Sequence, residues 1–303
     1  MGTPSFAVPT LEAILESKNH KLVGVFSQAA KAKGRGLRII RSPVHEVAYN
    51  NSIPVYTPLT LKTDDVNKLI NSMRADIIIV VAYGLIIPKN ILEAKKFGCL
   101  NIHPSNLPKY RGAAPLQRMI INGERKSAVC IIQMDTGVDT GDIIAKKNFP
   151  LSNQITLVKL YDYTAQIGAK MMIEVLDNIE TIKPSKQLKS SFSYAHKLSA
   201  EESKINWDES AFLIDCKVRG MNPWPGVYFK HQNKRVKIIK TSYLDSYHQY
   251  NPGLLLENDG SFFDVACNKG VLRILEVKPE SKSIMCAQDY LFGFQRKDKI
   301  TQL

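Results

Sequence analysis

An uninterrupted apolar run restricts the fold more than any other feature of the sequence. Residues 76–82 read DIIIVVA, and a strand this rich in β-branched residues fits a parallel sheet whose two faces are covered by helices. Further strand-like segments at 21–26, 99–103 and 129–134 alternate with helical patterns, the longest of them at 155–179. The alternation predicts an α/β domain with a Rossmann-like, parallel-rich sheet.

The chain changes character after this domain. Residues 183–204 are polar and rich in lysine, which predicts a basic linker. Beyond it, turn signals separate short strand candidates at 226–230, 235–241, 253–256, 262–266 and 271–277. Such a series of short strands suits a small barrel, so we expect an OB-like β-barrel domain at the C-terminal end. The predicted division is an α/β domain at 1–182, the linker at 183–204 and the barrel at 205–303.

Charge and composition restrict the partners and the compartment. The formal net charge is +13 at pH 7, which favours nucleic acid, a phosphorylated substrate or an anionic membrane surface. No apolar run approaches the ~20 residues that cross a bilayer, and residues 1–9 lack the pattern of a signal peptide. The five cysteines show no CxxC spacing, which predicts free thiols. We therefore expect a cytoplasmic protein that does not contact a membrane.

Asn101 and His103 form the first candidate site. They lie at the end of the strand predicted at 99–103, where open α/β sheets bind their ligands, and side chains two residues apart share one face of a strand. An amide donor beside an imidazole suits the stabilisation of an oxyanion that forms when a nucleophile attacks a carbonyl group. The alternative, a core histidine beside a turn-forming asparagine, stays open on these residues alone.

The second candidate is the acidic loop at residues 134–142, which reads MDTGVDTGD. Its glycines allow a tight turn close to another segment, and a carboxylate there would orient a histidine and hold a water molecule. The alternatives are a solvated acidic turn and a calcium loop. The spacing of the acids differs from that of an EF-hand, so we predict no metal site.

Six short segments spread over almost the whole chain form a series. They are residues 1–9 (MGTPSFAVP), 81–88 (VAYGLIIP), 102–115 (IHPSNLPKYRGAAP), 133–141 (QMDTGVDTG), 194–198 (YAHKL) and 222–226 (NPWPG). Together, and in this order, they resemble the formyltransferases that use 10-formyltetrahydrofolate, and within that family most closely the enzymes that act on methionyl-tRNA. A series of motifs in the family's order is far more specific than any one of them.

The resemblance implies that Asn101, His103 and Asp139 are catalytic. The free α-amino group of initiator methionyl-tRNA would attack the formyl carbon directly, without a covalent enzyme intermediate, to give formylmethionyl-tRNA for translation initiation. Asn101 and His103 would lie against the oxyanion, and Asp139 would hold the imidazole and help to relay protons. The folate co-substrate would contact Tyr83, Gly84, Leu85, Ile86, Ser105, Asn106, Leu107 and Pro108.

A basic segment before residue 42 occupies the position that resembles the family's tRNA-binding insertion. We expect contacts with tRNA phosphates from Lys31, Lys33, Arg35, Arg38 and Arg41, with Arg35 foremost. The linker lysines Lys183, Lys186 and Lys189 and the C-terminal domain would extend this track. The alternative is a flexible, solvated loop. We expect the protein to act as a monomer.

Three other functions compete with this interpretation, two of them enzymatic and one non-catalytic. A formyltransferase for a nucleotide-linked aminosugar would share the catalytic residues, but the basic segment at 31–41 and the net charge of +13 favour tRNA. A non-catalytic RNA-binding protein would leave Asn101, His103 and Asp139 without a purpose. A glycinamide ribonucleotide formyltransferase is disfavoured because the chain continues well beyond its catalytic domain.

The sequence departs from the family pattern at two points. Family members have a short strand before the segment matched at 1–9. If Met1 is the true start, the sheet lacks this central strand, and the interpretation we favour is a start site assigned too late or a truncated chain. Asn106 stands where the family usually has an apolar residue, and we expect a modest effect on folate affinity with the chemistry retained.

Overall fold

The structure is a computed structural model that describes residues 1–33, 38–188, 190–231, 233–256 and 262–295. Its α-helices are α1 (Val8–Glu16), α2 (Pro43–Asn50), α3 (Asp64–Ser72), α4 (Lys89–Leu92), α5 (Pro115–Ile121), α6 (Leu157–Asp177), α7 (Ala211–Met221) and α8 (Ala287–Gln295). Its strands are β1 (Val25–Phe26), β2 (Lys31–Lys33), β3 (Arg38–Ile40), β4 (Val55–Tyr56), β5 (Ile78–Val80), β6 (Cys99–His103), β7 (Lys126–Gln133), β8 (Ile143–Pro150), β9 (Val227–His231), β10 (Lys234–Leu244), β11 (Phe263–Ala266), β12 (Val271–Pro279) and β13 (Met285–Cys286).

The chain divides into two compact units that are not continuous in sequence. The first comprises Met1–Gly112, Ser127–Phe149 and Tyr161–Tyr194, and the second contains the remaining residues. The segment at 181–194, most of which we predicted to be a linker, belongs to the first unit. Ser185 exchanges two backbone hydrogen bonds with Ile143, which fastens this segment to β8.

The first unit contains the predicted α/β arrangement. Four strands lie in the order β5-β6-β7-β8, with β5 parallel to β6 and β6 antiparallel to β7. Residues 127–132 of β7 are all buried, as expected for a strand with both faces covered. The strand predicted at 76–82 is present but shorter, as β5. The expectation of an α/β domain with parallel-rich pairing is thus confirmed.

The described part of this unit contains a second parallel pair, β1 with β4, separate from the four-stranded sheet. Gly2 joins the two pieces, because its amide donates to the Phe26 carbonyl oxygen at 3.0 Å and it forms a parallel bridge with Val81. A cavity of about 410 Å³, lined by residues of both pieces, lies beside this junction. Gly2 therefore links the β1–β4 pair to the segment directly after β5.

The second unit is built on an antiparallel sheet in the order β11-β12-β10-β9, with β13 paired to β12. Helix α7 buries Ile214, Val218 and Met221 in the same apolar cluster as Phe229 and Phe263 of the sheet. The prediction of an OB-like C-terminal domain is confirmed.

The strand predicted at 253–256 is present only as an isolated antiparallel bridge of Leu255 with Val265. Backbone hydrogen bonds nevertheless join this segment to β11, since Ala266 donates to Leu254 and Leu256 donates to Asp264, each at 2.9 Å.

Candidate active site

Strand β6 presents Asn101 and His103 on one face. It pairs in parallel with β5, where Asn101 lies opposite Val80, and antiparallel with β7, where His103 lies opposite Cys130. Neighbouring positions on the other face are buried in the core. Asn101 is half-buried and His103 is 4% exposed. The sheet therefore holds both side chains in fixed directions at the carboxyl end of β6.

Asp139 lies in the loop between β7 and β8 and meets both residues. Its Oδ2 accepts a hydrogen bond from the Gly112 amide at 2.8 Å and lies 3.4 Å from His103 Nδ1. Its Oδ1 accepts a long hydrogen bond from Asn101 Nδ2 at 3.5 Å. The residue has a φ of 53°, a left-handed conformation that is strained for a residue with a Cβ. The Asp139 carboxylate thus contacts both of the other side chains that are predicted to be catalytic, Asn101 and His103.

Both ring nitrogens of His103 face acceptors. Nε2 lies 2.9 Å from the carbonyl oxygen of Tyr110, which can only accept, so Nε2 carries a hydrogen. Nδ1 faces the Asp139 carboxylate. An imidazole N–H directed at a substrate oxygen suits the stabilisation of an oxyanion, and Nε2 is engaged with the Tyr110 carbonyl oxygen in this structure.

The first predicted folate segment, residues 83–86, offers mainly backbone. Tyr83 is buried in the apolar core, and this burial raises its pKa to about 12. Gly84 has a φ of 87°, which glycine adopts without strain, and a side chain there would overlap the Gln28 amide. Leu85 is half-buried, whereas Ile86 is 80% exposed. The Ile86 side chain and the backbone at Gly84 are the accessible groups.

The second predicted folate segment, residues 105–108, follows β6 directly. Ser105 and Leu107 are buried, and the Ser105 hydroxyl donates to the Lys109 carbonyl oxygen at 2.7 Å. Asn106 and Pro108 are half-buried. Ser105 therefore stabilises the turn after the strand, and Asn106 supplies the accessible polar side chain of this segment.

The predicted tRNA-binding residues fall into four groups. Arg35 and Lys189 lie outside the described residues, and β2 and β3 pair through Lys31 with Ile40 and Lys33 with Arg38. Arg41 lies 3.9 Å from Glu46 and stacks over the Tyr49 ring at 4.0 Å. Lys183 and Lys186 are exposed. Arg41 thus has partners within the fold, and the two linker lysines face solvent.

Sequence reasoning gave no role to two residues beside the site. The Gln187 amide nitrogen donates to the backbone carbonyl oxygens of Asp139 and Gly141, and its amide oxygen accepts from Arg111. Gln187 lies in a polar, lysine-rich segment, where nothing in the pattern distinguishes an inward-facing amide from its neighbours.

The thiols near the site are poor nucleophiles. Burial raises the pKa of Cys99 to about 12 and that of Cys130 to about 11, so both are protonated near neutral pH. Within the described ranges, no group of three or more His, Cys, Asp or Glu residues is placed to hold a metal ion. No helix in the same ranges is long and apolar enough to cross a membrane.

Comparison with known proteins finds relatives along almost the whole chain. Residues 1–176 match the family described as formyl transferase, and residues 197–295 match its C-terminal domain. The methionyl-tRNA formyltransferase of Rickettsia bellii (strain RML369-C) is 52% identical over 295 residues, which cover 97% of this chain and 96% of that protein. The methionyl-tRNA formyltransferase of Rickettsia rickettsii (strain Iowa) is 52% identical over 293 residues, with 97% and 95% covered.

Solved structures share the fold. An N-formyltransferase from Helicobacter canadensis, in complex with folinic acid and dTDP-3-aminofucose, has a TM-score of 0.69 at 25% identity and covers 90% of this chain and 96% of its own. The methionyl-tRNA formyltransferase of Clostridium thermocellum has a TM-score of 0.53 at 25% identity and covers 73% and 93%. With both of its domains matched and the three side chains gathered at the end of β6, this chain belongs to the formyl transferase family.

Proposed function

We propose that this chain transfers the formyl group of 10-formyltetrahydrofolate to the α-amino group of initiator methionyl-tRNA. The observation that carries the proposal is the convergence of Asn101, His103 and Asp139 in a chain 52% identical to a methionyl-tRNA formyltransferase along 97% of its length. We further propose a catalytic domain at 1–182, a linker at 183–204 and a tRNA-binding domain at 205–303. The protein acts in the cytoplasm, as a monomer.

The chemistry is a direct acyl transfer. An α-amino group titrates near pH 8, so a useful fraction is neutral at pH 7 and needs no strong base. Its nitrogen bonds to the formyl carbon, the bond from that carbon to N10 of the folate breaks, and N10 takes up a proton. Asn101 and His103 donate to the oxyanion, while Asp139 holds the imidazole and helps to relay the proton lost by the amine through water to N10. The raised pKa values of Cys99 and Cys130 support transfer without a thioester.

The folate is proposed to lie against residues 83–86 and 105–108. Because the side chains of Tyr83, Ser105 and Leu107 are buried, these residues contribute backbone groups. Gly84, with its φ of 87° and exposed backbone, supports a close approach of a flat ring to the chain. Ile86, 80% exposed, supplies apolar contact.

The tRNA is proposed to contact the basic segment at 31–41, the lysines at 183, 186 and 189, and the C-terminal sheet. In the second unit, Val236 and Ile238 of β10 face the core. An open cavity of about 1100 Å³ on this unit is lined by the exposed cations Arg235, Lys237, Lys240 and Lys278 and by Arg219, together with the acids Asp215 and Glu280. The excess of cations supports contact with phosphates.

A first test offers the wild-type protein two acceptors in parallel. With 10-formyltetrahydrofolate as donor, we expect formylation of charged initiator methionyl-tRNA and none of a nucleotide-linked aminosugar. The aminosugar is the second candidate because the Helicobacter canadensis enzyme, whose structure holds dTDP-3-aminofucose, has the higher TM-score of 0.69. Transfer to the aminosugar alone would keep the mechanism and overturn the proposed acceptor.

A second prediction concerns the basic sheet of the second unit. The double variant Lys237→Gln and Lys278→Gln is expected to raise the KM for methionyl-tRNA about 3- to 10-fold with little change in kcat, and to reduce the salt dependence of binding by about one unit of slope per lost phosphate contact. The measurement is steady-state formylation between low and moderate salt. The control is Lys68→Gln, an exposed lysine of α3. An equal rise in KM in the control would mean that overall charge alone acts.

A further inference from the structure

Gln187 turns inward from an otherwise exposed segment. Its neighbours Lys186 and Leu188 are exposed, Leu188 at 70%. The Gln187 side chain is half-buried and makes four hydrogen bonds. Nε2 donates to the carbonyl oxygens of Asp139 at 2.8 Å and Gly141 at 2.7 Å, and Oε1 accepts from Arg111 Nε at 3.1 Å and Nη2 at 2.7 Å. One amide therefore joins Arg111 to the loop that carries Asp139.

The chemistry of the partners specifies an amide at this position. A guanidinium can only donate, and backbone carbonyl oxygens can only accept. A side chain between them must accept on one side and donate on the other, which a carboxylate or an ammonium group does not do. The network also fixes which end of the amide is oxygen.

Arg111, to which Gln187 is bonded, is itself held in place by its surroundings. Its side chain is buried, with the residue 9% exposed, and stacks over the Phe192 ring at 5.5 Å. Its backbone amide donates to the Ser193 carbonyl oxygen at 2.9 Å. In the described part of the chain no carboxylate lies within ion-pair distance of its guanidinium, so the Gln187 oxygen is a principal acceptor for a buried cation.

The loop needs such a link because its conformation is strained. Asp139 has a φ of 53°, and strained residues persist where surrounding contacts over-determine them. Gly141 packs so closely on the end of β7 that a Cβ there would overlap the Gln133 carbonyl oxygen. Gln187 binds the carbonyl oxygens at both ends of this short stretch, directly behind the carboxylate.

We propose that Gln187 is a positioning residue that ties the 139–141 loop to Arg111 and so sets the direction of the Asp139 carboxylate toward His103 and Asn101. The catalytic consequence rests on the proposed function, in which Asp139 takes part in formyl transfer. A carboxylate displaced by about 1 Å is expected to cost up to about 100-fold in rate.

Gln187→Ala and Gln187→Glu separate this role from a simple anchor for Arg111. Alanine removes all four bonds. Glutamate keeps the acceptor for Arg111 and adds an ion pair, but it presents oxygen to the two carbonyl oxygens. We expect both variants to lower kcat about 10- to 100-fold, with the KM for methionyl-tRNA and for folate changed less than about 3-fold. Wild-type kcat in Gln187→Glu would overturn the proposal, because it would show that Arg111 alone needs the residue.

A second readout does not depend on catalysis. Hydrogen exchange of the amides in residues 137–142 is expected to speed up at least about 10-fold in both variants, since the loop opens more readily. Leu188→Ala, at the exposed neighbour, should leave exchange and kcat unchanged. Unchanged exchange in both Gln187 variants overturns the proposal, whatever the kinetics. Absence of formyl transfer by the wild type would remove the proposed function, and exchange would still decide whether Gln187 holds the loop.

Discussion

Alanine at His103 is expected to lower the kcat for formyl transfer by about 10²- to 10³-fold, the usual consequence of losing one donor to a developing oxyanion. The KM for methionyl-tRNA should change little, because His103 is 4% exposed and its ring bonds to Tyr110 and Asp139 within the fold. Single-turnover formylation of methionyl-tRNA measures the chemical step directly and separates it from product release.

A second histidine–aspartate pair provides the matched control. His20 Nε2 lies 3.0 Å from Asp177 Oδ1, in the same unit but with no contact to the predicted catalytic residues. His20→Ala should retain wild-type kcat. In the double variant His103→Ala and Asp139→Ala, the rate should fall little below that of His103→Ala alone, because residues that act as a unit are not additive. Independent, multiplying losses would show that Asp139 acts without the imidazole.

The strand that carries Asn101 and His103 could be predicted because its sequence pattern is local. Residues 99–103 are a short apolar strand that ends at Pro104, and the two-residue period of a strand puts Asn101 and His103 on one face. The same pattern did not distinguish a catalytic histidine from a core histidine. That distinction came from the resemblance, and the structure adds the contact with Asp139 across the sheet.

The contacts that hold the site could not be predicted because they join distant parts of the chain. Gln187 is 48 residues from Asp139 and 76 from Arg111, and it lies among lysines that face solvent. The backbone conformations of Ala82, Tyr110 and Asp139, each with a positive φ, could not be predicted from the sequence either. These residue types rarely adopt that region on their own, so the surrounding contacts impose it.

The hydrogen bond between His103 and Tyr110 connects these strained residues to the candidate site. Tyr110, with a φ of 61°, directs its carbonyl oxygen at His103 Nε2, and its amide donates to the Ser193 hydroxyl at 3.0 Å. The segment around Ser193 therefore restrains Tyr110, and Tyr110 restrains the imidazole. The position of the imidazole depends on these two loop segments as well as on strand β6.

The buried pair of Asp215 and Arg219 supports the second unit, and its loss should lower the stability of that unit. Asp215, 4% exposed, accepts from Arg219 Nε at 2.8 Å and from the Thr241 hydroxyl at 2.7 Å. Asp215→Ala leaves the guanidinium buried without its carboxylate, which is expected to lower the free energy of unfolding by about 3–5 kcal/mol. Urea denaturation followed by tryptophan fluorescence measures this unit, because both tryptophans of the chain, Trp207 and Trp224, belong to it.

An exposed ion pair in the same unit shows whether burial is the cause. Lys240 and Glu276 lie 3.9 Å apart with side chains 64% and 40% exposed, so solvent screens their attraction. Glu276→Ala is expected to cost less than about 1 kcal/mol in the same measurement. Equal, small losses in both variants would contradict the argument from burial, since they would mean that water reaches the Arg219 guanidinium once Asp215 is removed. A large loss confined to Asp215→Ala would mean that helix α7 and strand β10, which carry Asp215 and Thr241, are held together through this carboxylate.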